Sequence, residues 1–237
     1  MDSGVGGLSV LKELIRVIPN GRFLYFGDND NAPYGNKSIN ELKKLTAKNL
    51  DYIKQYNIDA LVVGCNTLSL SLLPFIKEYG GLTTFGVFPP VEKFLVKDEK
   101  VLLLSTLVSA SKFSPSKNLH VVGLKNLVVD IENNLFNLKN VNFEKNLTYS
   151  TGNFISQKGY YDTLILGCTH YEFVKNQIIN HFCPQNCCSG AIITANNVKN
   201  YYQNIKSLVN YKRFELNFIG KNADFNQKFW VSSGQNV

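Results

Sequence analysis

The chain has 237 residues, 44% of them apolar and 18% charged, enough for one large or two small packed domains and too apolar for a disordered chain. No stretch approaches the roughly 18 consecutive apolar residues of a membrane helix, and no basic segment followed by an apolar one marks a secretory leader, so a cytoplasmic protein with no membrane association is expected. The net charge is +7, from 25 basic and 18 acidic residues. The basic residues are scattered, in runs no longer than pairs such as Lys43-Lys44, which suits a solvated surface or a small anionic substrate and not nucleic acid.

In chain order, Leu8, Leu11, Leu14, Ile15 and Ile18 recur at helical spacing, and Pro19-Asn20-Gly21 ends that helix. Arg22 to Phe26 reads as a short strand, and a loop from Asn29 to Lys37 carries Pro33-Tyr34-Gly35. Ser38 is placed to cap a helix reaching about Tyr56. Ala60 to Val63 is the continuous apolar run of a strand buried on both faces. A helix to about Tyr79 and strands near Thr83 to Phe88 and Val101 to Leu104 follow. The second half predicts a strand at Leu119 to Val122, a helix near Leu127 to Leu138 and another before Tyr160. It closes with a strand at Thr163 to Leu166, a helix from about Tyr171, a strand near Ala191 to Thr194 and a final helical stretch. Such alternation predicts an α/β fold with mostly parallel sheets sandwiched by helices.

Five cysteines, Cys65, Cys168, Cys183, Cys187 and Cys188, without a leader point to reduced thiols. The last three read C-P-x-x-C-C near His181, which lacks the paired C-x-x-C spacing of a zinc site, so no metal is expected. The first two carry an internal echo. Asp59-Ala60-Leu61-Val62-Val63-Gly64-Cys65 matches Asp162-Thr163-Leu164-Ile165-Leu166-Gly167-Cys168 at four of seven positions, 103 residues on. The echo predicts two related α/β units, each presenting a thiol beyond the carboxyl end of a buried strand, where open α/β sheets place ligands.

Two such thiols fit several chemistries: a redox disulfide, a soft-metal site, a nucleophile with a bystander, or two acid/base groups facing a substrate. The last would invert a stereocentre, one thiolate taking a proton while the opposite thiol gives one. Asn66-Thr67 and Thr169-His170 follow the two cysteines at expected helix starts, where backbone N–H groups favour an anion such as a substrate carboxylate. His170 is positioned to bond a thiol or donate a proton. Asp2-Ser3-Gly4-Val5-Gly6-Gly7 is a glycine-rich turn into a helix, without the spacing of a nucleotide loop.

Together, Asp2-Ser3-Gly4-Val5-Gly6-Gly7, Gly27-Asp28 with Pro33-Tyr34-Gly35, Cys65-Asn66-Thr67 and Gly167-Cys168-Thr169-His170-Tyr171 resemble the glutamate racemases, cofactor-independent members of the aspartate/glutamate racemase superfamily. The resemblance spans nearly the whole chain. It implies two α/β domains with the active site between them, residues 1–93 with about 204–237 forming the first and about 94–203 the second. It implies that Cys65 and Cys168 are the acid/base pair, assisted by Asp2 and His170. Asp2, Ser3, Tyr34, Gly35, Asn66, Thr67, Thr169 and His170 would hold the substrate, and Glu132 is the nearest candidate for a glutamate that the family places near the second cysteine. The implied role is racemisation of glutamate to supply D-glutamate for peptidoglycan, without a cofactor, in a possible homodimer. Racemisation of another acidic amino acid such as aspartate, a weakly active or non-catalytic amino-acid-binding homologue and a thiol redox protein are the alternatives.

Three places depart from the family pattern. Met1 directly precedes Asp2, so the strand that normally leads into the Asp-Ser-Gly turn is missing, and Asp2 is expected on a mobile terminus. Ser105-Thr106-Leu107-Val108-Ser109 keeps only part of a Thr-rich segment, and Gly86-Val87-Phe88-Pro89-Pro90 lacks the usual acidic residue after Gly-Val.

Overall fold

The computed structural model describes residues 1–152, 158–204 and 214–234. Its first half begins with α1 (Leu8–Val17), β1 (Arg22–Phe26), two short 3-10 turns (Asn29–Asn31 and Tyr34–Asn36) and α2 (Ile39–Ile53). It continues with β2 (Ala60–Val63), α3 (Asn66–Gly80), β3 (Thr83–Gly86) and α4 (Val91–Leu95). Then come β4 (Val101–Ser105), α5 (Leu107–Ala110), β5 (Leu119–Gly123), α6 (Leu127–Asn133), a 3-10 turn (Leu138–Asn140) and α7 (Phe143–Thr151). The remainder is β6 (Thr163–Gly167), a 3-10 segment (Thr169–Val174), α8 (Lys175–Phe182), β7 (Asn186–Ser189), α9 (Ala191–Asn204), β8 (Glu215–Ile219) and α10 (Ala223–Ser232).

Every strand pairing is parallel, as the alternation of strands and helices requires. The second half holds one four-stranded sheet in the order β5-β4-β6-β7. All ten residues of β4 and β6 are buried, which explains their unbroken apolar sequences. The first half holds two pairs, β1 with β8 and β2 with β3. The largest apolar cluster crosses between the halves, joining Val5, Leu8 and Leu11 to Leu104, Leu166 and Tyr171. Among the described residues no helix is long and apolar enough to cross a membrane.

Ser38 caps α2 in a reciprocal box: its hydroxyl accepts from the Glu41 N–H while the Glu41 carboxylate accepts from the Ser38 N–H. Other boundaries differ from the sequence reading. Ala191 to Thr194 is the first turn of α9, not a strand, because Ala191, Thr194, Ala195 and Val198 share one buried helical stripe while Ile192 and Ile193 stay exposed. The strand of that region is β7, one turn earlier. The helix expected from Leu127 to Leu138 stops at Asn133, and the one expected from Tyr171 is 3-10 until Val174. Strand β8, hidden in a polar alternation of Glu215, Leu216, Asn217 and Phe218, lies beside β1.

The amino terminus is also tied where the sequence reading leaves it mobile. The Asp2 N–H donates to the Phe26 carbonyl (2.9 Å) and the Asp28 N–H donates to the Asp2 carbonyl (3.1 Å). On the other side the Met1 ammonium donates to the Val62 carbonyl (2.9 Å) and the Gly64 N–H donates to the Met1 carbonyl (2.8 Å). Met1 and Asp2 are thus a two-residue strand between the carboxyl ends of β1 and β2, paired on both sides, and Asp2 is buried.

Candidate active site

Each echoed cysteine stands immediately after a parallel strand and at the start of a helical segment: Cys65 between β2 and α3, Cys168 between β6 and the 3-10 segment. Both thiols are free and buried. Their partners differ. The Cys65 thiol donates to the Ser3 hydroxyl (3.9 Å), which donates to Asp2 Oδ1 (3.5 Å), and the Gly4 N–H also donates to that oxygen (2.9 Å). Burial and then the neighbouring Asp2 carboxylate push the Cys65 thiol up to about 12. Burial likewise raises Asp2, whose second oxygen has no protein partner.

On the other side Cys168 Sγ lies 3.9 Å from His170 Nδ1, and His170 Nε2 lies 2.6 Å from Glu132 Oε1. Burial works against a charged imidazole, but the bonds to Cys168 and Glu132 outweigh it and hold His170 well above the ordinary histidine range. A protonated His170 donates from both nitrogens, to the sulfur and to the carboxylate. Glu132, carried by α6, also lies 3.5 Å from the Val5 N–H, which donates to it.

The glycine-rich turn fits against this relay because it has no side chains. A Cβ on Gly4 would collide with the Glu132 carboxylate, and one on Gly6 with His170 and Thr169. Ser9 of α1 donates to the Thr169 carbonyl (3.3 Å), a further bond between the halves. The Asp2 turn, the Cys65 strand end and the Cys168 relay therefore converge. Thr67 Oγ1 lies 3.1 Å from both Thr106 Oγ1 and Ser109 Oγ, and Gly35 packs on Thr106. The Asn66 amide donates to the Val87 carbonyl (3.3 Å). The Tyr34 hydroxyl donates to Asp28 Oδ2 (2.5 Å) and accepts from Asn49 (3.0 Å), so it shapes the Pro-Tyr-Gly turn with its polar tip already engaged.

Four supporting residues escaped the sequence reading as site residues. Tyr25 donates to the Gly4 carbonyl (2.5 Å) from beneath the glycine-rich turn, and Asn49 stands in the otherwise mostly apolar buried face of α2. Thr106 and Ser109 complete the hydroxyl cluster with Thr67. The signal for Asn49 is a polar residue at helical spacing within an apolar stripe, which needs a buried partner. Among the described residues no group of three metal-binding side chains is present. Cys187 and Cys188, adjacent on β7, pack into different apolar clusters.

No family model matches the chain. A glutamate racemase of Clostridium novyi is 32% identical over 191 residues, covering 75% of this chain and 71% of the relative. One from Clostridium botulinum is 30% identical over 245 residues, covering 96% and 90%. The crystal structure of a glutamate racemase isoform from Bacillus anthracis aligns with 100% of this chain and 93% of its own at a TM-score of 0.80 and 25% identity. Sequence, fold and the paired cysteines agree: the chain belongs to the glutamate racemase family.

Proposed function

We propose that this chain interconverts L- and D-glutamate by moving the α-proton between Cys65 and Cys168, without a cofactor, and that its D-glutamate serves peptidoglycan synthesis in the cytoplasm. The observation that carries the reading is the pairing of two buried thiols with unlike partners, a carboxyl through Ser3 for Cys65 and an imidazole for Cys168.

With L-glutamate bound, the Cys168 thiolate takes the α-proton and the electron pair moves toward the α-carboxylate. The Cys65 thiol then gives its proton to the opposite face of Cα, leaving D-glutamate, a Cys65 thiolate and a Cys168 thiol. The reverse reaction exchanges the roles. The α-hydrogen of an amino acid is a very weak acid, so the developing charge must meet fixed donors in a site closed to water. The first N–H groups of α3, at Asn66 and Thr67, and those at Thr169 and His170 are the donors suited to the carboxylate. Asp2 and Ser3 keep a proton on Cys65 when it is to act as the acid; His170, oriented by Glu132, supports the thiolate on Cys168.

Incubation with L-glutamate and with L-aspartate in heavy water tests the assignment, read by circular dichroism and by deuterium at Cα. Loss of optical rotation from glutamate, with deuterium in the inverted product, is expected. Faster inversion of aspartate contradicts the substrate, and binding without exchange contradicts catalysis.

A further inference from the structure

Between the facing edges of β1 and β2 lies a cleft of about 970 Å³ that runs up to Met1. Its chemistry is that of a missing ladder. In a parallel sheet each residue turns its N–H and C=O to one side, and successive residues alternate. The Phe26 carbonyl and the Asp28 N–H serve Asp2, and the Val62 carbonyl and the Gly64 N–H serve Met1. Leu24 and Ala60, two residues earlier on each strand, therefore turn their backbone groups into the cleft. Among the described residues no strand pairs with either edge there: β1 pairs with β8, and β2 with β3.

The two walls are apolar. Leu14 and Val198 of one apolar cluster line one side, and Ile53, Ile58 and Ile219 of another line the other. An occupant would alternate its side chains between two hydrophobic surfaces, the condition that gives a buried parallel strand its unbroken apolar sequence. Asp2 is level with Gly27, which puts Met1 level with Phe26, so four further positions reach Arg22 at the far end of β1.

We infer that this cleft is a strand site: it takes an extended apolar peptide of about four residues, parallel to both edges and with its carboxyl end against Met1, joining the two strand pairs into one five-stranded sheet in the order β8-β1-peptide-β2-β3. The occupant is extended polypeptide because both long walls present hydrogen-bonding backbone at strand register, which a compact apolar molecule would leave unpaired. The inference is independent of the racemase reading, since none of the proposed proton-transfer groups lines the cleft apart from its border at Met1.

The chain of 237 residues, mixed with acetyl-Val-Ile-Val-Ile bearing a free carboxylate, provides the test, beside a form carrying Val-Ile-Val-Ile joined ahead of Met1. The peptide should slow hydrogen exchange at the Leu24, Phe26 and Val62 amides at least tenfold. The joined form should show the same protection and melt about 4 °C or more higher. Acetyl-Val-Pro-Val-Pro, which lacks half the N–H donors, should do neither. Unchanged exchange with both the free and the joined peptide overturns the inference. Equal protection by the proline peptide also overturns it, in favour of a general apolar pocket. Protection in the peptide-free chain together with sedimentation as a dimer overturns it in favour of a second copy in the cleft. Racemase activity decides none of these outcomes.

Discussion

Cys65 follows β2, whose neighbours are β3 on one side and only the Met1–Asp2 stub on the other. Cys168 follows β6, flanked along its length by β4 and β7. The same strand–glycine–cysteine segment thus rests on a split sheet in one half and a continuous, fully buried sheet in the other. Their electrostatics divide in parallel. The residue behind Cys65 is a carboxyl, which disfavours the thiolate and holds the thiol up to about 12. The residue beside Cys168 is an imidazole that two bonds favour in its charged form. A repeated scaffold places the thiols alike, and non-repeated neighbours set which one carries the proton at rest.

The largest expected effect removes the pair. Cys65→Ser and Cys168→Ser should each lower glutamate racemisation by about 1,000-fold or more, because an ionised serine is far too basic to replace a thiolate near neutral pH. An unchanged rate in either variant breaks the comparison. Next comes the relay peculiar to Cys168. Glu132→Gln removes a charged acceptor from a buried imidazole and should cost about 10- to 100-fold in kcat/KM, the range for a hydrogen bond to a charged group. Steady-state kinetics in both directions check this, and loss should be greater from L-glutamate, where Cys168 is the base.

The contrast between the sheets is testable by denaturant unfolding. Leu104→Ala, in fully buried β4, should destabilise by about 2–5 kcal/mol. Leu24→Ala, on β1 beside an existing cleft, should cost less than half as much. The smallest effect concerns pH. A Cys65 thiol raised from about 9 to about 12 contributes stability present below about pH 9 and lost as pH rises toward 12. Cys65→Ser should therefore show a shallower fall in melting temperature across that window than the unaltered chain; equal slopes contradict the assigned shift.

Much of this was legible in the sequence where one physical rule dominated. The buried strands before both cysteines read directly as unbroken apolar runs, and Ser38 with Glu41 announces its own capping box. The rule failed where two patterns overlapped. Ala191-Ile192-Ile193 is locally strand-like, yet the stripe through Val198 wins because α9 packs against α1. β8 is too polar on one face to register alone and needs β1 beside it. At the site, the cysteines and His170 stand out by motif, whereas Tyr25, Thr106 and Ser109 act through contacts between elements distant in sequence. The expectation of a loose Asp2 failed for the same reason: its rigidity comes from Phe26, Asp28, Val62 and Gly64, which a linear reading does not bring together.

The opposed-thiol account is tested most directly by elimination from the two enantiomers of a glutamate analogue with a chloride at the β-carbon. Elimination requires one base to take the α-proton as chloride leaves, so it does not need the second thiol. Cys65→Ser should still process the L analogue through Cys168, and Cys168→Ser the D analogue through Cys65, each having lost the other hand. Loss of both hands in one variant and neither in the other would contradict two opposed bases.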